Sequence, residues 1–298
     1  MRYDNREDII QMTPLWKGDR FDNGRPRVPD DIIERLEKIA LEEAWSVCWG
    51  NDYKYQFQGD WKVINNGGRT LVGRAVTGVM VPRRPDLHDS LLEYGQKEEG
   101  RVGFFNSWVI ETMVPNDVMV IDMFDKIFQG TYSGGNLSNA IKSRGGRGQV
   151  LWSSIRDVQQ VMDIEDFVTF YRGNDPTGIG DVTLVGLNTP CRIGNAICMP
   201  GDVVLGDVAG VIFIPPHLAE EACERAERTQ MREIFQFQRI HEGVYNSHEM
   251  DSAWSAAIEA DFHAWRKTST PEGYEHLEWE EDSARKDQQT SEEADTLL

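Results

Sequence analysis

The feature that most constrains the fold is an alternation of apolar strands and short helices between residues 118 and 172. The segment reads, in order, as strand VMVIDM, a Gly-rich loop, helix NLSNAIKS, Gly145-Gly146, strand QVLW, Arg156-Asp157, helix VQQVMDI and strand FVTFYR. Short links between such elements predict parallel strands joined by right-handed crossovers. The loops that follow the strands then lie along one edge of the sheet, where open α/β sheets bind their ligands.

Both flanks carry further elements. Apolar spacing predicts a helix over residues 28–50, a long amphipathic helix from His217 to Gly243 and a second helix over 252–267, and closely spaced β-hairpins are expected around Gly201-Asp202 and Gly210. Asn66-Gly67 suggests a turn between strands. We therefore expect an N-terminal arm (1–28), an α/β domain (29–241), a C-terminal helical extension (242–267) and an acidic, disordered tail (268–298).

Charge and composition exclude several classes of protein. The net charge is −19, and residues 242–298 hold 15 acidic against 4 basic residues. Nucleic-acid binding is not expected, because phosphate contacts need clustered lysine and arginine. Neither a membrane span nor secretion is indicated, because no apolar run reaches 18 residues and the N-terminus MRYDNREDII is charged, so we expect a cytoplasmic protein. The four cysteines lack metal or disulfide spacing and are expected to be buried.

Two loops at the predicted sheet edge carry the candidate chemistry. Gly134-Gly135 allows backbone N–H groups to approach an anion at a helix N-terminus. Arg156 offers a planar fork for a carboxylate, and Asp157 offers a hard oxygen for Mg²⁺ or Mn²⁺. Two structural alternatives stay open: an exposed Arg-Asp pair, or Asp157 as the N-cap of the next helix. Gly145-Gly146 is interpreted as a helix C-cap.

Two segments resemble a known family. The run from Gly134 to Asp157 is similar to the signature of the RraA-like family, and PGDVVLGDVAGVIFIPP, residues 200–216, is similar to its second hallmark. The family includes the regulator of ribonuclease activity A and metal-dependent 4-hydroxy-4-methyl-2-oxoglutarate aldolases with oxaloacetate decarboxylase activity. The resemblance covers approximately residues 70–240, and the N-terminal arm resembles the longer bacterial members.

The resemblance implies a fold, an assembly and a reaction. The fold is an α/β core with a mixed sheet, related to the swivelling phosphohistidine domain, with helical N- and C-terminal extensions. The assembly is a homotrimer or homohexamer with sites near subunit contacts. The reaction is retro-aldol cleavage or decarboxylation of a 2-oxo acid or sugar-acid-like substrate through a metal-stabilised enolate, with Mg²⁺ or Mn²⁺ as cofactor and a small carboxylate as substrate.

The same resemblance assigns the site residues. Arg156 and Asp157 are the expected catalytic residues, with Asp157 as the metal ligand and Arg156 as the carboxylate ligand. The substrate-binding loop comprises Gly134, Gly135, Asn136 and Leu137.

Gly135 departs from the family pattern. The enzymes carry an acidic residue directly after the first glycine of the loop, where this chain has Gly135. Asp122, Asp125 or Asn136 are candidates to replace that acid. The alternative function is a non-catalytic regulatory or binding protein whose metal site has lapsed.

A second polar segment, PRRPDLHD at residues 82–89, has two interpretations. Arg83, Arg84, Asp86 and His88 are suited to contact a hydroxylated, sugar-acid-like substrate. A solvated loop is the favoured interpretation, because clustered charges are common in proline-rich loops.

Overall fold

The structure is a computed structural model, and it describes residues 3–65, 68–277 and 279. The chain divides into two compact units, Met1–Ala226 and Glu227–Leu298. The turn expected at Asn66-Gly67 and most of the acidic tail lie outside the described residues. The domain boundaries expected at residues 28, 241 and 267 stay predictions.

The helices and strands have the following bounds. The helices are α1 Arg6–Met12, α2 Asp30–Leu36, α3 Leu41–Gly50, α4 Pro85–Lys97, α5 Phe105–Ile110, α6 Gly135–Ser143, α7 Val158–Met162, α8 Ala219–His241, α9 Ser247–Met250 and α10 Ala256–Ser269, with a 3₁₀ turn at Pro216–Leu218. The strands are β1 Phe57–Gln58, β2 Lys62–Asn65, β3 Leu71–Pro82, β4 Asp117–Ser133, β5 Gly148–Ile155, β6 Val168–Asn174, β7 Val182–Leu187, β8 Cys191–Ile193, β9 Ala196–Cys198, β10 Val203–Gly206 and β11 Val211–Ile214.

The first unit is built on a mixed, nine-stranded sheet. Its strand order is β1-β11-β10-β3-β4-β5-β6-β2, and β7 pairs with β3. The neighbours β3, β4, β5 and β6 are parallel, whereas β10, β7, β2 and β11 pair antiparallel. The alternation of strands and helices therefore predicted the parallel strands β4, β5 and β6 correctly. The structure adds β3 as a fourth parallel strand, and the carboxyl ends of all four share one edge.

Apolar side chains alternate between the two faces of this sheet. On β4, Met119 and Ile121 belong to one buried cluster, which includes Trp108 of α5. Val118 and Val120 belong to another, which includes Phe213 of β11. Strands that are buried on both faces read as continuous apolar runs, as β4 and β5 do.

The helix before β5 ends as the glycine pair predicted. Gly145 adopts φ +79°. Its N–H donates to the Lys142 carbonyl, and the N–H of Gly146 donates to the Ile141 carbonyl. This pattern is the Schellman motif, and it turns the chain directly into β5.

The helix expected over residues 28–50 is in fact two helices, so that prediction was wrong. The break lies between α2 and α3, where Ala40 is extended (φ −76°, ψ 150°) and donates its N–H to Glu43. Ile39 and Leu41 are both buried at this bend. Helical periodicity continues across the break because both helices turn an apolar face to the same core.

The described part of the N-terminal arm packs into the first unit. Ile9 of α1 is 1% exposed. The Tyr3 hydroxyl donates to the Leu184 carbonyl at 2.6 Å. Arg25 forms a buried bidentate ion pair with Asp117, at 2.9 and 2.7 Å. These contacts could not be predicted from hydrophobic periodicity, because each is made by a single side chain.

The predictions for the hairpins, for segment 82–89 and for the cysteines had different outcomes. The β10–β11 hairpin forms around Gly210 as predicted, but Gly201-Asp202 joins no hairpin because β10 pairs with β3 instead. Residues 85–89 of the expected loop begin helix α4, with Pro85 in its first turn. All four cysteines are free and buried, as expected.

The second unit has a core of its own. Its buried residues are Met231, Phe235, Met250, Ile258, Phe262 and Trp265. The helix expected over 252–267 is α10.

Within the described part of the chain, no helix has the length and apolar character needed to cross a bilayer.

Candidate functional site

The two candidate loops meet at the carboxyl edge of the parallel strands. Ser133, the last residue of β4, lies opposite Ile155, the last residue of β5. The N–H of Arg156 donates to the Ser133 carbonyl at 3.3 Å. Gly134 and Arg156 thus leave adjacent strands at the same level, which brings the glycine loop against the Arg-Asp pair.

Gly134 allows this close approach. A Cβ at Gly134 would lie 2.5 Å from Asp157 Oδ2 and 2.9 Å from Arg156 Cγ, both shorter than real contacts. The next residue, Gly135, donates its N–H to Asp157 Oδ2 at 3.3 Å. Glycine at position 134 is therefore required for the carboxylate and the guanidinium to lie over the start of α6.

Asp157 adopts a left-handed conformation, with φ 52° and ψ 39°. Aspartate tolerates this region better than most residues, but at a cost in energy. Asp157 holds the N-cap position of α7, yet its side chain makes no capping hydrogen bond. The carboxylate faces Gly135 instead, so helix capping does not account for the residue.

Arg156 is half exposed and weakly held. Its Nε lies 3.5 Å from Asp157 Oδ2, and the exposed fractions of the two side chains are 46% and 41%. Among the described residues, no other carboxylate lies within ion-pair distance of this guanidinium. Such an exposed pair adds little stability. The fork is thus in position to receive a carboxylate from solution.

Asn136 and Leu137 form the first turn of α6. Gly134 is the N-cap and offers no side chain to the first N–H groups of this nine-residue helix. These groups lack partners within the helix and carry the positive end of its dipole. The Asn136 side chain is exposed, whereas Leu137 packs against the core. The backbone of this turn is suited to hold an anion beside Arg156.

Two further contacts at the site were not predicted from the sequence. A Cβ at Gly135 would lie 1.9 Å from the Gln160 amide oxygen, so the Gln160 side chain fills the space beside this glycine. A Cβ at Gly178 would lie 3.6 Å from Arg156 Nη1. The loop that contains Gly178 follows β6, the next parallel strand, which was the available signal for it.

The side chains at this edge can hold only a metal ion that keeps most of its water ligands. No three His, Cys, Asp or Glu side chains of the described residues group closely enough to hold a metal. Asp125 is paired with Arg172 at 3.1 Å, and Asp122 accepts the Phe124 N–H. Of the residues that the structure describes, Asp157 is left as the one carboxylate beside Arg156. Mg²⁺ and Mn²⁺ fit such a site, since they keep several waters and take one or two carboxylates plus oxygens of the substrate.

The polar segment after β3 reaches the same edge of the sheet. Arg84 pairs with Asp86 at 2.8 Å on the surface. His88 Nδ1 lies 3.0 Å from the Thr183 hydroxyl. Arg83 donates its backbone N–H to the Asp181 backbone carbonyl, in the loop that contains Gly178. A role for these side chains with substrate stays a hypothesis.

A comparison with protein-family models identifies the family. The family model RraA-like (Aldolase/RraA) matches residues 48–213. The chain is 26% identical over 168 residues to an uncharacterized protein of Methanocaldococcus jannaschii, covering 54% of this chain and 78% of that protein. It is 31% identical over 121 residues to a putative 4-hydroxy-4-methyl-2-oxoglutarate aldolase of Halalkalibacterium halodurans, covering 39% of this chain and 54% of that protein.

The fold has counterparts among solved structures. RraAS2 of Streptomyces coelicolor, described as an unusual member of the RNase ES inhibitor RraA family, matches with a TM-score of 0.60 and 21% identity. The match covers 72% of this chain and 99% of that protein. This likeness confirms the predicted fold, an RraA-like α/β core with a mixed sheet and helical N- and C-terminal extensions.

Proposed function

The chain belongs to the RraA-like family, and on that premise we propose that it is a divalent-metal-dependent carbon–carbon lyase. Its substrate would be a 2-oxo acid or a sugar-acid-like compound, cleaved by retro-aldol reaction or decarboxylation. One observation carries the proposal: the glycine loop, the Arg156 fork and the Asp157 carboxylate converge at one edge of the sheet.

The charge of each group determines the role that we propose for it. Arg156 would bind the substrate carboxylate through both oxygens and neutralise it. The first-turn N–H groups at Asn136 and Leu137 would orient that group. Asp157 would hold Mg²⁺ or Mn²⁺, which supplies the positive charge that stabilises an enolate.

Bond cleavage leaves an electron pair that the site must accommodate. In oxaloacetate the bond to the leaving carboxylate breaks, CO₂ departs, and the electron pair stays on the three-carbon fragment as the enolate of pyruvate. In a 4-hydroxy-2-oxo acid the bond between C3 and C4 breaks, the hydroxyl proton passes to water, C4 leaves as the carbon of a carbonyl compound, and the same enolate forms. In both reactions the enolate then takes up a proton from water at C3 to give pyruvate. Arg156 and the helix N-terminus would hold the carboxylate that stays on this fragment in both reactions, while the metal ion would supply the positive charge that favours the enolate.

We also propose that the protein assembles as a homotrimer or homohexamer. The excursion of β4 over residues 123–130 carries Phe124, Ile127 and Phe128, which are 39, 37 and 65% exposed. Its Gln129 accepts the Gly180 N–H, in the loop that reaches Arg156. Exposed apolar side chains next to the site support a subunit contact there.

A non-catalytic binding protein is the second candidate, and Gly135 favours it. The family's acidic residue is missing, and the neutral amide of Gln160 fills the space beside Gly135. A site that lacks this carboxylate would still bind a carboxylic acid through Arg156.

Pyruvate release tests the two candidates against each other. Oxaloacetate and 4-hydroxy-2-oxo acids are incubated with wild-type protein and Mg²⁺ or Mn²⁺, with protein-free blanks because the metal alone decarboxylates oxaloacetate. We expect turnover above the blank that a chelator abolishes. A lapsed site would be established by two results together: no pyruvate release above the blank by the wild-type protein, and a rate at least about tenfold above the blank in the Gly135→Asp, Gln160→Ala double variant. The second substitution makes room for the new carboxylate, and Gln160→Ala alone is the control.

A further inference from the structure

A cavity in the first unit lies apart from the proposed lyase site. Its volume is about 360 Å³, in the range of small-molecule sites. Segment 12–16 of the arm lines it together with Ile197, Met199 and Pro216, so its surface is largely apolar. It shares no residue with the site at Gly134 and Arg156.

One buried carboxyl group, that of Asp202, lines this cavity. Asp202 is 2% exposed and lines the cavity. Its Oδ2 accepts the Met199 N–H at 2.8 Å. Its Oδ1 has no hydrogen-bond partner among the residues that the structure describes. Burial raises the pKa of Asp202 to about 8. The ionised form is thus costly in the empty cavity, because nothing neutralises it.

The other polar groups of the cavity are uncharged near neutral pH. The Tyr53 hydroxyl lies 3.1 Å from His217 Nε2. Burial lowers the pKa of His217 below its usual value and raises that of Tyr53. No lysine or arginine is among the lining residues. An anionic ligand would therefore meet a carboxyl group and no cation.

We propose that this cavity is a second ligand site, for a small organic ammonium ion with an apolar body. The ammonium would bind the free oxygen of Asp202 and supply the positive charge that the buried carboxylate lacks. The apolar body would pack against segment 12–16 and Ile197. The net charge of −19 favours the approach of a cation over that of an anion.

Binding of an ammonium ion at this site would change the protonation of Asp202. The carboxyl group is mostly protonated at pH 7 in the free protein and ionised in the complex, so about one proton is released per ligand bound. The titratable groups that face Asp202 from other elements are Cys48 of α3, Tyr53 and Cys198 of β9, and His217 lines the same cavity. Burial raises the pKa of both thiols and of Tyr53, so these three do not titrate between pH 6 and 8. The affinity for an ammonium ion should therefore rise about tenfold from pH 6 to pH 7.

Calorimetric titration of the full chain tests the proposal. The ligands are 2-phenylethylammonium, 2-phenylethanol and 3-phenylpropionate, which share a ring and differ in the charge of the head group. We expect a Kd of about 0.1–1 mM for the ammonium ion, with a buffer-dependent enthalpy that reports proton release. The alcohol should bind at least about tenfold more weakly, and the carboxylate should not bind.

Asp202→Asn removes the charge and retains an oxygen for the Met199 N–H, so it should abolish the preference for the ammonium ion. Asp207→Asn is the matched control, because Asp207 lies on the β10–β11 turn outside the cavity lining. If Asp202→Asn does not fold, the wild-type selectivity and its pH dependence decide instead. Equal binding of alcohol and ammonium, or no binding of the ammonium ion up to about 10 mM, would overturn the proposal.

Discussion

Asp157→Asn is expected to reduce pyruvate release from oxaloacetate by about two to three orders of magnitude, with the fold intact. The substitution keeps the size of the side chain and an oxygen for the Gly135 N–H, but removes the charge that would hold the metal. Stability should barely change, because the Arg156–Asp157 pair is close to half exposed on both sides. The rate is measured with saturating Mn²⁺ and checked against protein-free blanks.

Arg156 gives a second measure of the same site. Arg156→Ala should raise the KM and lower kcat/KM by about 100-fold, and Arg156→Lys should recover part of the loss, since lysine keeps the charge without the fork. Asp166→Asn is the matched control for loss of an acid, because Asp166 pairs with Arg69 just ahead of β6 and away from the carboxyl edge. Unchanged turnover in Asp157→Asn and Arg156→Ala would exclude this edge as the active site.

Arg25→Ala is expected to lower the free energy of unfolding by about 3–5 kcal/mol. The Arg25 and Asp117 side chains are 1% and 0% exposed, so removing Arg25 leaves the buried Asp117 carboxylate without its bidentate partner and with Arg74 Nε at the longer distance of 3.8 Å. Asp117 also accepts the Val114 N–H just ahead of β4, so the Arg25–Asp117 pair joins the arm to the start of this strand. Urea unfolding followed by far-UV circular dichroism measures the loss.

Two controls separate burial from charge. Arg84→Ala breaks an ion pair whose side chains are 75% and 66% exposed, and it should shift stability by less than about 1 kcal/mol. The Arg25→Met, Asp117→Asn double variant removes both charges, keeps an oxygen for the Val114 N–H, and should be more stable than Arg25→Ala. Equal stabilities of Arg25→Ala and Arg84→Ala would show that this buried pair does not hold the arm.

The sequence predicted the parallel centre of the sheet because strand and helix periods are local. Buried strands read as apolar runs, α6 shows an amphipathic pattern, and Gly145-Gly146 shows the cap between them. The edge that carries Gly134 and Arg156 then follows from the topology of parallel strands. This is why the candidate site could be placed from the sequence. The resemblance to the RraA-like family rests instead on the residues of two segments, 134–157 and 200–216.

Contacts between distant single residues could not be predicted in this way. Arg25 and Asp117 are 92 positions apart, and nothing periodic links them. Gln160 fills the space beside Gly135 only because α7 packs against α6. The sequence GD at residues 201–202 is typical of a turn, and nothing in it indicates that Asp202 lies beside arm segment 12–16 and the 3₁₀ turn in one cavity.

Mn²⁺ binding measured with and without oxalate tests the central claim most directly, because oxalate resembles the enolate of pyruvate but does not react. If one pocket holds the cation and the organic acid together, oxalate should tighten Mn²⁺ binding by about tenfold or more, and electron paramagnetic resonance should detect this in wild-type protein. Asp157→Asn should lose Mn²⁺ binding, and Arg156→Ala should lose the effect of oxalate. Mn²⁺ affinity that is the same with and without oxalate in the wild type, or unaffected by Asp157→Asn, would contradict a shared site.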